Sequence, residues 1–159
     1  MVVKKCNPIR CWSSVGRIGA GEQQLSLAPK CIHPGVIAHE FMRAIGFWHM
    51  HQRPDRDKYI RINMGNVHQK QVRSFQRRHE YAVKGNNYKW DFKSIMLYGS
   101  QAFAKDTSRN VSSLWTIVRG KNQYIPYNAA VRGSLSKLDV SAINKLYNCC
   151  KDGFYCSKK

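Results

Sequence analysis

The 159-residue sequence predicts a single α+β domain, and three observations carry that reading. The first thirty residues alternate short apolar runs with glycine-rich turns. Two later segments carry helical signals with clear starts and stops. The remainder is turn-rich and charged. A chain of this length suits one domain with its own core. With 43% apolar residues and aromatic side chains well represented, the composition is globular rather than disordered.

Taken in order, the opening strands are read around Cys11-Trp12-Ser13-Ser14-Val15 and Gln23-Gln24-Leu25-Ser26-Leu27, with Gly16, Gly19 and Gly21 punctuating them. Pro34-Gly35 breaks the chain. A helix follows from about Val36 to Ile45, and Gly46 ends it. Ile37, Phe41, Ala44 and Trp48 fall near helical spacing and form the expected core-facing stripe. Pro54 to Asn66 is turn-like and charged, with a short strand at Tyr59–Ile62. Val67 to Val83 is polar and basic, with room for a helix. Asn86-Asn87 and Gly99 bracket a compact segment from Trp90 to Tyr98, and residues 99–134 look loop-rich. The closing helix runs from Lys137 to about Tyr147. Ser136 can cap it, and Asp139 stands three residues on as in a capping box. Leu138, Ala142 and Leu146, at four-residue steps, are expected to bury one face.

Lys plus Arg number 27 against 9 Asp plus Glu, a net charge of +18. Such an excess can attract nucleic acid, anionic membrane or acidic protein. The basic residues are scattered, apart from Arg73, Arg77, Arg78 and the Lys158-Lys159 end, and no aromatic ladder interleaves with them. The charge is therefore read as a solvated surface, and a polyanion binder would rest on charge alone. The cysteines Cys6, Cys11, Cys31, Cys149, Cys150 and Cys156 form no C-x-x-C pair set, which argues against a zinc knuckle. An even, dispersed set favours disulfides and an oxidising compartment. The stretch Met1 to Cys6 has no apolar signal-peptide core, and no run is long enough to span a membrane. Either the protein stays inside the cell or this chain lacks its true beginning.

The chemistry lies in His39-Glu40-Phe41-Met42-Arg43-Ala44-Ile45-Gly46-Phe47-Trp48-His49. Helical spacing of four places two ligands one turn apart on one face. Zinc–nitrogen bonds of about 2.0–2.1 Å require both imidazoles to converge on one point. A glutamate directly after the first ligand can polarise a water on the metal and shuttle its proton. A glycine three residues past the second ligand position lets the chain turn, so that a third histidine can swing back. His39, Glu40, Gly46 and His49 fit this scheme. Arg43, at the second ligand position, does not, because a guanidinium offers no lone pair and stays protonated.

With these residues the sequence resembles the astacin family of zinc endopeptidases, within the metzincins, and in style its fish hatching-enzyme-type members. Arg53-Pro54-Asp55-Arg56-Asp57-Lys58-Tyr59 matches the family's continuation after the zinc motif, and Ser94-Ile95-Met96-Leu97-Tyr98 resembles its Met-turn. The resemblance runs from about Cys11 to Cys149. It implies a zincin-like catalytic domain over residues 1–149, incomplete at its N-terminus, followed by a basic, cysteine-containing tail at 150–159. It implies one Zn2+ held by His39 and His49, with Glu40 as general base and then acid. Tyr98 would be an extra ligand or oxyanion stabiliser, and Met96 would lie beneath the metal. A Cys11–Cys31 disulfide and secretion are implied as well. The expected partner is a protein or peptide substrate, with no specific nucleic acid and no membrane span, and the chain is expected to be a monomer.

Several residues depart from the family pattern. Arg43 brings a positive charge toward a dication. Without zinc it is expected to pair with Glu40, three residues before it on the helix. Met50 replaces a glutamate that receives the family's mature N-terminus, and Leu97 replaces the Met-turn histidine. The family's earlier strand, helix and further strands do not precede Cys11, which would leave Cys149 without its usual partner. His51 and His33 are candidate substitute ligands, though the plainer reading makes both bystanders. Asp55, Arg56 and Asp57 are read as fixing a turn through ion pairs. The leading reading is thus a zinc endopeptidase impaired by Arg43, and the alternative is a non-catalytic relative that binds a partner through its cleft.

Overall fold

The computed structural model describes residues 2–4, 10–79, 89–106, 112–116, 125 and 132–149. Three short strands, β1 (Val2–Lys4), β2 (Trp12–Ser13) and β3 (Gln24–Ser26), form one sheet with β3 in the centre. β1 runs parallel to β3 with Val3 opposite Leu25, and β2 runs antiparallel with Ser13 opposite Leu25. Leu25 is fully buried and packs with Leu27, Ala28, Cys31 and Ala44 in a small cluster behind the sheet. A disulfide joins Cys11 to Cys31 beside this cluster, with the Cα atoms 5.9 Å apart.

The first helix, α1, spans Pro34–Ala44. It starts earlier than the sequence suggests because His33 caps it, its Nδ1 accepting the Gly35 N–H at 3.3 Å. Pro34 fits the first turn, where no N–H is needed. The helix is wedged between two clusters. Ala38, Met42 and Ile45 face a main core containing Phe47, Met50, Ile60, Phe75, Ile95, Met96 and Leu97. Val36, Ile37 and Ala44 face the cluster behind the sheet. Packing on two sides overturns the expected single stripe, and Phe41 is 36% exposed. The helix ends at Gly46, whose φ of +108° suits glycine. The N–H groups of Gly16 and Gly46 both donate to the Arg43 carbonyl at 2.9 Å. The two glycine backbones lie in near contact, and a Cβ added to Gly16 would sit 3.6 Å from the Gly46 Cα.

Beyond α1 the chain makes short 3-10 turns at Met50–Gln52 and Arg56–Lys58. The charged stretch closes on itself as expected, through Arg53–Asp55 at 2.7 Å, Arg56–Asp57 at 3.2 Å and Arg77–Asp57 at 3.0 Å. Arg56 also donates to the carbonyls of His51 and Phe75. Strand β4 (Ile60–Ile62) pairs antiparallel with β5 (Leu114–Thr116), so the region read as loop-rich supplies a strand. Residues Gln69–Phe75 form a 3-10 helix, anchored by the fully buried Phe75.

The closing helix, α2, spans Lys137–Tyr147 and carries the expected capping box of Ser136 and Asp139. Its expected apolar face holds at Ala142, with Leu138 half-buried, and fails at Leu146. Asp139 and Ala142 are the buried positions, whereas Leu146 is 38% exposed. The carboxylate of Asp139 is drawn inward by the turn described below, so α2 docks through its N-terminal half. At the other end the Tyr147 hydroxyl donates to the Ile45 carbonyl at 2.7 Å. Among the described residues no helix is long and apolar enough to cross a membrane, and Cys149 is a free thiol. Cys6, Cys150, Cys156 and the 150–159 tail lie outside the described residues.

Candidate active site

Helix α1 carries His39, Glu40 and Arg43 along one turn, and the Gly46 turn returns the chain so that His49 meets His39. Their Nε2 atoms are 3.1 Å apart. The Nδ1 of His39 lies 2.9 Å from the Ile95 carbonyl oxygen, which can only accept, so Nδ1 carries the hydrogen. The Nδ1 of His49 lies 3.2 Å from Oε1 of Gln52. The orientation of that amide is fixed because its Nε2 donates to the Ser74 carbonyl at 3.2 Å. His49 therefore also carries its hydrogen on Nδ1. Both facing Nε2 atoms present lone pairs, an arrangement that repels unless a cation lies between them.

Burial keeps these rings neutral. It lowers the His39 pKa to about 4, partly offset by the hydrogen bond to the Ile95 carbonyl, with Arg43 and Arg132 lowering it further. Burial, then the neighbouring His51, His39 and Arg43, hold His49 well below the ordinary histidine value. Two zinc–nitrogen bonds at a tetrahedral angle would place two nitrogens roughly 3.3–3.4 Å apart, close to the separation found here. His39 and His49 thus fit two places of a zinc shell, each with a partner fixing its tautomer.

The third place does not fit. Among the described residues no group of three histidine, cysteine or carboxylate side chains converges to hold a metal. His51 stacks on His49 with ring centroids 5.3 Å apart. Its Nε2 is taken by the Ser74 carbonyl at 3.0 Å. His33 serves as the helix cap. Arg43, in the second ligand position, holds its guanidinium 5.2 Å from the Trp48 ring centroid. The expected ion pair with Glu40 is not formed among the described residues. The stacking on Trp48 directs the guanidinium elsewhere, and the Nη1 of Arg43 is buried without a hydrogen-bond partner.

Glu40 is buried, and burial raises its pKa to about 7 although Arg43 pulls the other way. Tyr98 packs on His51 at 3.9 Å and on His49 at 4.7 Å between ring centroids. Burial pushes its hydroxyl up to about 12, with Arg43 lowering it and Glu40 raising it by smaller amounts. Met96 and Leu97 are core residues, 2% and 1% exposed. Met50, also in the core, donates its N–H to the Met96 carbonyl at 2.9 Å.

The turn that holds Ile95 is clamped from below. Asp139 accepts from Ser94 Oγ at 2.6 Å, the Ile95 N–H at 2.9 Å and the Ser136 N–H at 3.0 Å. A rigid path thus runs from α2 through the Ile95 peptide to His39. Sequence reasoning read Asp139 only as a cap, and it missed Gln52 entirely. A glutamine beside a histidine carries no spacing signal that would have found it.

The sequence matches the profile of the astacin peptidase family over residues 1–148. The chain belongs to the astacin family. Among curated relatives, this astacin is 39% identical over 141 residues to "Zinc metalloproteinase nas-6" of Caenorhabditis elegans, covering 87% of this chain and 38% of that protein. It is 40% identical over 138 residues to "Zinc metalloproteinase dpy-31" of the same organism, covering 86% of this chain and 22% of that protein. The chain therefore spans well under half the length of these relatives. A solved structure of high choriolytic enzyme 1, a hatching enzyme zinc-protease from the medaka fish Oryzias latipes, superimposes with a TM-score of 0.78 at 34% identity. That match covers 93% of this astacin and 68% of the hatching enzyme. The α+β, zincin-like fold read from the sequence agrees with this likeness.

Proposed function

We propose that this chain is an astacin-type peptidase domain acting on protein or peptide, with zinc-dependent hydrolysis impaired by Arg43. The observation that carries the reading is the facing of two Nε2 lone pairs at 3.1 Å, each fixed by a bond on the opposite ring nitrogen. His39 and His49 would hold the ion, which when bound supplies a Lewis acid for peptide hydrolysis. Glu40, with its carboxyl lifted to about 7, holds a proton part of the time near neutrality, so it can both take one from water and return it. Tyr98 keeps its hydroxyl proton at neutral pH and can donate a hydrogen bond to a developing oxyanion. Arg43 supplies no third nitrogen donor and adds a positive charge. We also propose residues 1–149 as the domain and 150–159 as its tail, a secreted setting, and a monomer.

The test compares zinc content and cleavage of a denatured protein substrate by the native chain and by Arg43→His. The variant should bind one zinc per chain and cleave, with the native chain binding more than about 100-fold more weakly. Equal zinc affinity and equal cleavage in both would sink the assignment of Arg43 as the impairing residue. A second reading, a non-catalytic relative that binds a partner through the cleft, is supported by the unpartnered Arg43 Nη1. It predicts that neither form cleaves.

A further inference from the structure

The net charge of +18 gathers at one place on the surface. Residues 58–79 contain no aspartate or glutamate, while Lys58, Arg61, Lys70, Arg73, Arg77 and Arg78 all fall within them. The last four stand along one segment. The 3-10 helix Gln69–Phe75 is anchored by the buried Phe75. Side chains three apart on such a helix eclipse, so Lys70 and Arg73 leave it from one edge. Both are exposed. The chain then runs on through Arg77, Arg78 and His79, also exposed, which with Pro54 line a cavity of about 380 Å³. No acidic side chain lines it. Arg77 spends one nitrogen on Asp57, at 3.0 Å, and its side chain stays 57% exposed. The Arg78 guanidinium lies 4.1 Å from the Trp48 ring centroid and forms no ion pair among the described residues. Its backbone is pinned as well, its N–H donating to the Gln52 carbonyl at 2.8 Å. The fold thus holds several accessible cations together, a repulsion that a bound anion relieves.

From this placement we propose that residues 70–79 form a binding surface for a linear sulfated polysaccharide. Arg77 and Arg78 take one sulfate at the cavity, and Arg73 and Lys70 meet further charges along the saccharide. A guanidinium fork pairs with two oxygens of one oxyanion, and the indole beneath Arg78 holds its fork in place. Cations spread along a segment match repeating, closely spaced anionic groups better than a single one. A nucleic acid fits less well, because no aromatic ring here is free to stack a base. Phe75 is fully buried, and the Trp48 ring already carries Arg78 and Arg43. An anionic membrane fits less well too, because none of the exposed large apolar side chains among the described residues falls within 70–79. An acidic protein would bring an apolar interface core, which a cavity of three cationic or basic side chains and one proline does not receive. The inference goes beyond the peptidase reading and needs no metal, so its failure leaves that reading untouched.

The experiment measures binding of a fluorescently labelled heparin decasaccharide to the full chain by anisotropy, from about 50 to 200 mM salt. Lys70→Gln, Arg73→Gln and Arg78→Gln together should weaken binding at least about 10-fold. They should also flatten the slope of log affinity against log salt by about 2, near 0.7 for each lost contact. Lys30→Gln, Arg61→Gln and Lys105→Gln together remove the same charge from other exposed positions and should change affinity less than about 3-fold. Single-stranded DNA and polyglutamate of matching charge should bind the native chain at least about 10-fold more weakly than the saccharide. Should the first triple variant fail to fold, Lys70→Gln with Arg73→Gln, on the exposed helix edge, is compared with Lys30→Gln with Lys105→Gln. No binding of the saccharide at the lowest salt, equal weakening by the two sets of variants, or equal affinity for DNA or polyglutamate overturns the proposal.

Discussion

Replacing Asp139 with alanine is expected to destabilise the domain severely, and the cost can be built from its contacts. The carboxylate accepts from Ser94 Oγ, the Ile95 N–H and the Ser136 N–H at 2.6, 2.9 and 3.0 Å. Hydrogen bonds to a charged group contribute about 1.5–3 kcal/mol each. Ser94 and Ile95 are buried and find no substitute partner, whereas the Ser136 N–H, at a helix start, can reach water. The expected loss is therefore about 3–5 kcal/mol, a large share of the roughly 5–15 kcal/mol that holds a domain together. Asparagine behaves differently. Its oxygen can face the two N–H donors and its amide can donate to Ser94, so only charge assistance is lost, about 1–2 kcal/mol. Urea unfolding reads both values. With a slope of about 1–3 kcal/mol per molar, the alanine midpoint should fall by roughly 2 M and the asparagine midpoint by under about 1 M. An alanine cost below about 1 kcal/mol, or equal costs for alanine and asparagine, would refute the clamp.

Three further perturbations test the surroundings. Glu40→Gln should stabilise the metal-free chain at pH 8. The native carboxyl has a folded pKa of about 7 against 4.5 unfolded, so both states are protonated below 4.5 and stability falls as pH rises from there to about 7. The variant escapes that loss, gaining up to about 3 kcal/mol at pH 8 and nothing near pH 4, a difference that thermal melts at the two pH values would expose. Replacing Cys11 and Cys31 together with serine releases a loop closed over a separation of 20 residues and should cost about 3 kcal/mol by denaturant titration. In an Arg43→His background, Gln52→Leu leaves the His49 Nδ1 without its acceptor, and zinc affinity by competition with a chelator should fall about 10–100-fold.

Much of the fold was legible because its signals are local. Pro34, Gly46, Ser136 and Asp139 mark helix ends by backbone chemistry that needs no tertiary partner. The faces of those helices were less legible. Phe41 and Leu146 sit at good helical spacing yet remain exposed, since α1 is pinched between two clusters and α2 docks through Asp139 and Ala142 while its last turn stays outside. β5 lies within the stretch read as loop-rich and takes its place by pairing with β4. At the site, His39, Glu40 and His49 could be read from spacing. The partners that orient them, Gln52 and the Ile95 carbonyl, could not, because both act through contacts that three-dimensional closure creates.

The Arg43 carbonyl, gripped by two glycine N–H groups, has a bearing on how such a site changes over generations. The position is held in space by its backbone, and Gly16 and Gly46 approach each other without reference to the side chain at 43. The helix turn can therefore keep its shape whether that side chain is imidazole or guanidinium. Histidine and arginine codons can differ by a single base, so the complete set of three histidines can lie one nucleotide away. A scaffold that tolerates either residue lets a lineage lose and regain a metal centre without first dismantling the fold around it.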